Sequence, residues 1–209
     1  MYLVTSASAS LRTQTAENHR AAEQSVFQRR FIRGQLPLAA YTGWLTQMLC
    51  VYRSLETHLS NSALESRPRL LREPWRRSAE LERDLAHFSL SPAAVAPSQA
   101  TVRFLDQLDR WAKAEPAALL GVLYVLEGST NGSRHIARAL RSAYGLNDVE
   151  GLRFMDPHGE KQPQRWVEFK VALDAEVTPD EVPALVAAAQ ATFDAVTAVG
   201  AELAGDAPA

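Results

Sequence analysis

Two stretches of this chain carry the residue types that chemistry needs. The first is LRTQTAENHRAAE, residues 11–23, where His19 sits inside a strongly helical segment. The second is GVLYVLEGSTNGSRHI, residues 121–136, an apolar helical run that breaks into Gly128-Ser129-Thr130-Asn131-Gly132-Ser133 and then resumes. Two glycines four apart share one helix face, and each costs about 1 kcal/mol relative to alanine. A helix carries such residues where something must approach its backbone or where it must bend. A histidine-bearing helix and a glycine-broken helix together could hold a flat cofactor between them.

Each feature has a second reading. His19 shares a face with Leu11, Thr15, Ala22 and Val26. A neutral imidazole there can ligate iron through one nitrogen while a hydrogen bond orients the other, and Glu23, one turn on, is in reach of such a bond. The same spacing suits a histidine packed at the edge of a core. In the second stretch, missing side chains at Gly128 and Gly132 would let a ring lie against the backbone. Ser129, Thr130 and Asn131 would add small polar groups to hold water. Close packing of two helices is the alternative. His135, three residues after Gly132, could face the same side, whereas His58, His87 and His158 fall at helix ends or in loops and read as surface residues.

Composition narrows the function classes. The chain has 209 residues, 46% of them hydrophobic, with 22 basic and 24 acidic residues and a net charge of -2. That balance gives no electrostatic reason to expect nucleic acid or a polybasic membrane anchor as a partner. No hydrophobic run is expected to reach the ~18–20 residues of a membrane span. The start, MYLVTSASAS, lacks the pattern of a signal peptide, so the expected location is cytoplasmic. The single cysteine, Cys50 in WLTQMLCVY, reads as a buried small apolar residue and excludes an intrachain disulfide or a cysteine metal cluster. No HExxH, P-loop or G-x-S-x-G motif is present, and the absence of any Glu-x-x-His argues against a helical di-iron site.

The elements that must position these residues are helical. Periodicity predicts a helix over 10–33 ending at Gly34, and a second opened by Pro37 with a buried stripe of Tyr41, Leu45, Met48, Tyr52, Leu55 and Leu59. An Arg-rich connection over 61–73 leads to a helix with Pro74 in its first turn that ends near His87. Ser98 is the expected N-cap of a helix over 99–114, and Pro116 opens the glycine-bearing helix that Gly145 ends. A loop over 145–163 precedes a helix over about 163–175. Thr178-Pro179-Asp180-Glu181 is a capping box that starts the last helix, with Val182, Leu185, Val186, Ala189, Phe193, Val196 and Leu203 as its stripe. The expected fold class is all-α: one domain over 1–209, a bundle of about seven or eight helices, with 1–9 and 204–209 frayed.

LRTQTAENHRAAE, FIRGQLPLAAYTGWL and LLGVLYVLEGSTNGS resemble the haem oxygenase family in its bacterial, biliverdin-producing branch, in the same order over most of the chain. YVLEGST-x-G is the most specific part. The resemblance implies a haem-oxygenase-like bundle in which His19 is the proximal haem and metal ligand and Gly128 and Gly132 are the distal-helix glycines. It implies that Arg12 and Tyr124 hold haem propionates and that Arg165 stands where animal members place a propionate-binding lysine. Where those members clamp a propionate with arginine this chain has Phe169, with Lys170 beside it. Ser129 replaces the animal distal aspartate, Ser133 the second glycine of their pair, and Asn131 an apolar residue of many bacterial relatives.

The activity so implied is O2- and electron-dependent opening of the haem ring to biliverdin, carbon monoxide and ferrous iron, with haem as cofactor and substrate. Gly128, Ser129, Asn131 and Gly132 would shape the catalytic face. The electrons would come from an external donor, a reductase or ferredoxin, and a bilin-binding photoreceptor is a possible recipient of the product. A haem-binding or haem-transfer protein on the same scaffold, and a thiaminase-like helical enzyme without haem, are the alternatives.

Overall fold

Where the pattern predicts one helix over 10–33, a computed structural model of the chain has three: α1 (Ala7–Gln14), α2 (Ala16–Gln24) and α3 (Val26–Ile32). The breaks are polar. Thr15 turns its hydroxyl onto the Leu11 carbonyl at 2.7 Å, where its own amide already donates at 3.0 Å. Ser25 is extended, and its Oγ accepts from the Gln28 amide at 3.2 Å, so it caps α3. Gly34 ends α3 with φ +64, as expected.

The structure describes residues 6–62, 64, 67, 70, 75–147 and 149–205. Among them there are nine α-helices and no strand, so the fold class is all-α, and the split of the first helix accounts for the count above seven or eight. The remaining helices are α4 (Leu38–Ser60), α5 (Ser78–His87), α6 (Gln99–Ala114), α7 (Ala118–Tyr144), α8 (Gln162–Glu176) and α9 (Val182–Ala204). Two expected boundaries move. Residues 1–9 are not uniformly frayed, since α1 already begins at Ala7. The helix expected from Pro74 begins at Ser78, where Glu56 of α4 accepts from the amides of Arg77 and Ser78 at 2.6 and 3.0 Å; Pro74 itself lies outside the described residues.

Helix α4 buries the whole expected stripe. Ser98 caps α6, and Gly145 ends α7 in the left-handed conformation. Thr178 donates its amide to Glu181 at 2.9 Å, which starts a 3-10 turn and then α9. α9 packs against α1, α2, α3, α4, α6 and α7. It crosses α7 at Gly121, where a Cβ would strike the Leu185 carbonyl, so only glycine permits this approach. Contrary to expectation, one stretch, Pro179–Ala204, is long and apolar enough to cross a membrane by length and composition, with a mean hydropathy of 1.4. Leu185, Val186, Ala188 and Ala189 of that stretch are buried inside the bundle. Burial of Leu185 and Val186 contributes about 1.5–3 kcal/mol each.

Candidate functional site

The glycine segment lies within α7, which runs unbroken over 27 residues rather than interrupted as its sequence suggests. Its polar side chains explain how. Ser129 Oγ donates to the Leu126 carbonyl at 2.6 Å, Thr130 to Glu127 at 2.6 Å, Asn131 Nδ2 to Gly128 at 3.0 Å and Ser133 to Thr130 at 2.9 Å. Each bond reaches back three residues, so the side chains attach to carbonyls of their own helix. Ser129, Asn131, Gly132 and His135 are exposed, whereas Thr130 and Ser133 are buried. A Cβ built on Gly132 meets nothing within 4 Å among the described residues.

Helices α1, α7 and α8 bring Arg12, Tyr124 and Asp174 together. Ser8, in the first turn of α1, gives its amide and hydroxyl to Asp174 at 2.7 and 2.8 Å. Burial pushes the Tyr124 phenol up, the Arg12 cation pulls it back and the Asp174 charge adds to the rise. An exposed guanidinium beside a buried phenol is an arrangement that can hold a ligand carboxylate.

His19, on α2, has a side chain 58% exposed. Its Nδ1 lies 3.6 Å from the Glu23 carboxylate, and its ring stands edge-on to Phe193 of α9 at 5.6 Å. The histidine is therefore neither core-buried nor unsupported. Carboxylate and aromatic contacts orient the ring, and Nε2 remains as the nitrogen that could bind a metal.

Arg165 and Lys170 lie on α8. Arg165 pairs with Glu168 at 3.2 Å, and the Lys170 ammonium lies 5.4 Å over the Trp166 ring. Phe169 is fully buried between Trp75 at 5.0 Å and Trp166, which stacks on it at 5.6 Å, so this position packs the core. Of the other histidines, His58 pairs with Asp109 at 2.7 Å. His158 departs from the surface expectation: it is half-buried, its Nε2 has no partner among the described residues, and burial together with Arg77 and Arg165 lowers its pKa.

Two features escape the sequence pattern. One is Trp166, whose indole lies 5.2 Å from the Tyr124 ring and 3.3 Å from a Cβ built on Gly128. The other is a set of buried polar groups around and near Glu127 of α7. Glu127 is 2% exposed, and burial raises its carboxyl to about 7 against the pull of Arg77, with Glu80 adding to the rise. Trp75 Nε1, Arg77 Nε, Glu80 Oε2, Glu127 Oε1 and Gln162 Oε1 are buried with no partner among the described residues. Gln162 Nε2 donates to the Thr130 hydroxyl and so ties the start of α8 to the glycine segment. Buried polar atoms of this kind are normally satisfied by ordered water. A single signal could have pointed here: a glutamate standing inside the apolar run LLGVLYVLEGS.

An exposed imidazole on α2, a cation and a phenol on α1 and α7 and an open backbone at Gly132 are groups of the kinds that could hold a flat, carboxylate-bearing iron macrocycle. Residues 5–202 match the model of the family described as Heme oxygenase. The chain is 27% identical over 154 residues to heme oxygenase 1 of Bos taurus, covering 70% of this chain and 53% of that protein, so it spans about half the length of this relative. Its structure is similar to a haem oxygenase from Leptospira interrogans, with TM-score 0.85 and 25% identity over 94% of this chain and 99% of the other. It also shares its fold with heme oxygenase-1 of the cyanobacterium Synechocystis sp. PCC6803, solved in complex with heme, at TM-score 0.86 and 20% identity over 96% and 93%.

Proposed function

The chain belongs to the haem oxygenase family, and we propose that it opens the haem ring oxidatively, releasing biliverdin, carbon monoxide and ferrous iron. Haem is both the bound group and the substrate, O2 is the oxidant, and an external reductase or ferredoxin supplies electrons. The observation that carries this reading is the bare backbone at Gly132, open for more than 4 Å on a helix that the family match spans.

The residues divide the work. His19 holds the iron, with Glu23 setting the orientation and basicity of its imidazole. Arg12 and Tyr124 hold ring carboxylates, and Arg165 and Lys170 extend the positive charge along α8. Gly132 keeps its stretch of α7 free of side chains, so that reacting atoms would meet backbone there, while the Trp166 indole faces Gly128. Ser129 and Asn131, exposed beside Gly132, hold water on that face, and Ser133 supports the segment from within. Haem itself supplies the redox iron that activates O2. Gly128, Ser129, Asn131 and Gly132, the matched distal positions, carry no strong acid or thiolate, so the polar groups they would offer a bound haem are hydroxyl, amide and backbone. A bilin-binding photoreceptor is the class of partner that could take the product.

The test is a haemin titration followed by a reductant in air. A sharp Soret band that bleaches while a biliverdin band grows supports the reading. A stable Soret band without bleaching means a haem carrier, and no Soret band removes haem altogether, leaving a thiaminase-like enzyme.

A further inference from the structure

Gly128 and Gly132 lie one turn apart on one face, yet their surroundings differ. A Cβ at Gly128 would meet Trp166 Cη2 at 3.3 Å, Cζ2 at 3.6 Å and Cζ3 at 3.9 Å; a Cβ at Gly132 would meet nothing within 4 Å among the described residues. Gly128 is therefore bare because an indole edge rests on it. That indole is gripped. Phe169, fully buried, stacks on it at an interplanar angle of 13°, and Trp75 braces Phe169 from behind at 5.0 Å. Tyr124 tilts against it at 5.2 Å, and the Lys170 ammonium lies 5.4 Å over its ring. Aromatic and cation–π contacts of this kind are each attractive and directional, so together they hold the side chain in one place.

We propose that Trp166 is a specificity-determining wall of the haem site: it closes the Gly128 end of the α7 face, confines the macrocycle to the Gly132 end, and so sets which edge of the ring meets the helix. The proposal rests on the haem reading above. It follows from rigidity on both sides. A macrocycle cannot fold around an obstacle, and an indole fixed by Phe169, Tyr124 and Lys170 does not yield, so the ring seats against it in one register. Lys170 then has a second task, since its ammonium, 5.4 Å over the indole, helps hold the wall.

Two measurements test this. The first needs no haem. The chain is labelled with fluorotryptophan, and the Trp166 resonance among the four is assigned by Trp166→Phe. Gly128→Ala should shift that resonance and Gly132→Ala should leave it in place; an unmoved resonance in Gly128→Ala would overturn the contact. The second reads ring seating in the haem-loaded protein, through the paramagnetically shifted methyl resonances of the cyanide complex and the biliverdin isomers formed. Wild type and Trp166→Phe should give one dominant seating. Trp166→Leu should give at least two seatings and mixed isomers, with haem affinity weakened less than about tenfold. A wild type without a Soret band fails the haem reading; a wild type with one, whose Trp166→Leu variant keeps the same single seating, fails the wall alone.

Discussion

Ser8 and Asp174 stand 166 positions apart, yet Ser8 gives both its backbone amide and its hydroxyl to the two oxygens of that one carboxylate, at 2.7 and 2.8 Å. The bond pair fastens the first turn of α1 to α8, and the negative charge lies at the positive end of the α1 dipole. Arg12 is carried on the same short helix, one turn further on. Asp174→Ala should therefore cost about 1–2 kcal/mol of stability and loosen the position of Arg12. Urea unfolding and haemin titration check this together. Stability and haem affinity both unchanged would show that α1 is held by Leu11 and Ala7 packing alone.

Stability should fall as pH rises through the neutral range, and Glu127 should be a main cause. Burial lifts its carboxyl from 4.5 to about 7. The folded state thus holds a proton that the unfolded state releases near 4.5. The contribution is fully present below about 4.5 and is lost as pH rises through about 7, amounting to about 3 kcal/mol. Asp84, raised by burial from 3.8 to about 6, acts in the same direction. Glu127→Gln keeps the shape and removes the titration. Urea midpoints at pH 5 and pH 8 should lie closer together in this variant than in wild type, and an equal gap in both proteins would exclude Glu127 as the source.

Much of the site is legible in the sequence because it depends on local spacing. His19 with Glu23 one turn on, the glycines four apart and the Thr178–Glu181 cap are all written within a few residues. Trp166 is not, since a lone tryptophan on a helix reads as core, and what it touches, Gly128, lies 38 positions upstream on another helix. Glu127 escapes for a similar reason. Periodicity gives its face, but its raised carboxyl comes from burial in the folded bundle and from the charges of Arg77 and Glu80 in a distant segment. The breaks at Thr15 and Ser25 are a milder case. Both residues tolerate a helix, although Ser25-x-x-Gln28 has the spacing of a capping box.

His19→Ala separates ligation from folding. The side chain is largely exposed, and its 3.6 Å contact with Glu23 is solvated, so the substitution should change stability by less than about 0.5 kcal/mol. The haem spectrum should change completely: the low-spin or five-coordinate histidine signature should vanish, and ring opening with it. Added imidazole should restore part of the spectrum by filling the vacated position. Haem spectra identical to wild type would move the axial ligand elsewhere, with His135, exposed near Gly132, the next residue to test.

Gly132 sets stability against function. The position is helical and exposed, and a Cβ there has no neighbour within 4 Å among the described residues, so nothing in them requires a glycine. Alanine should stabilise the haem-free protein by about 1 kcal/mol, from helix propensity alone. If the open face receives a ring against bare backbone, the same methyl group stands where the ring must lie. Gly132→Ala should then weaken haem binding and slow ring opening while raising the melting temperature, and Gly132→Leu should abolish turnover. Such a trade is typical of sites whose local sequence conflicts with local stability. Paired thermal unfolding and haemin titration of the two variants decide it. A Gly132→Leu protein with full activity would reduce the glycine to a neutral surface position and remove the main support for ring contact at α7.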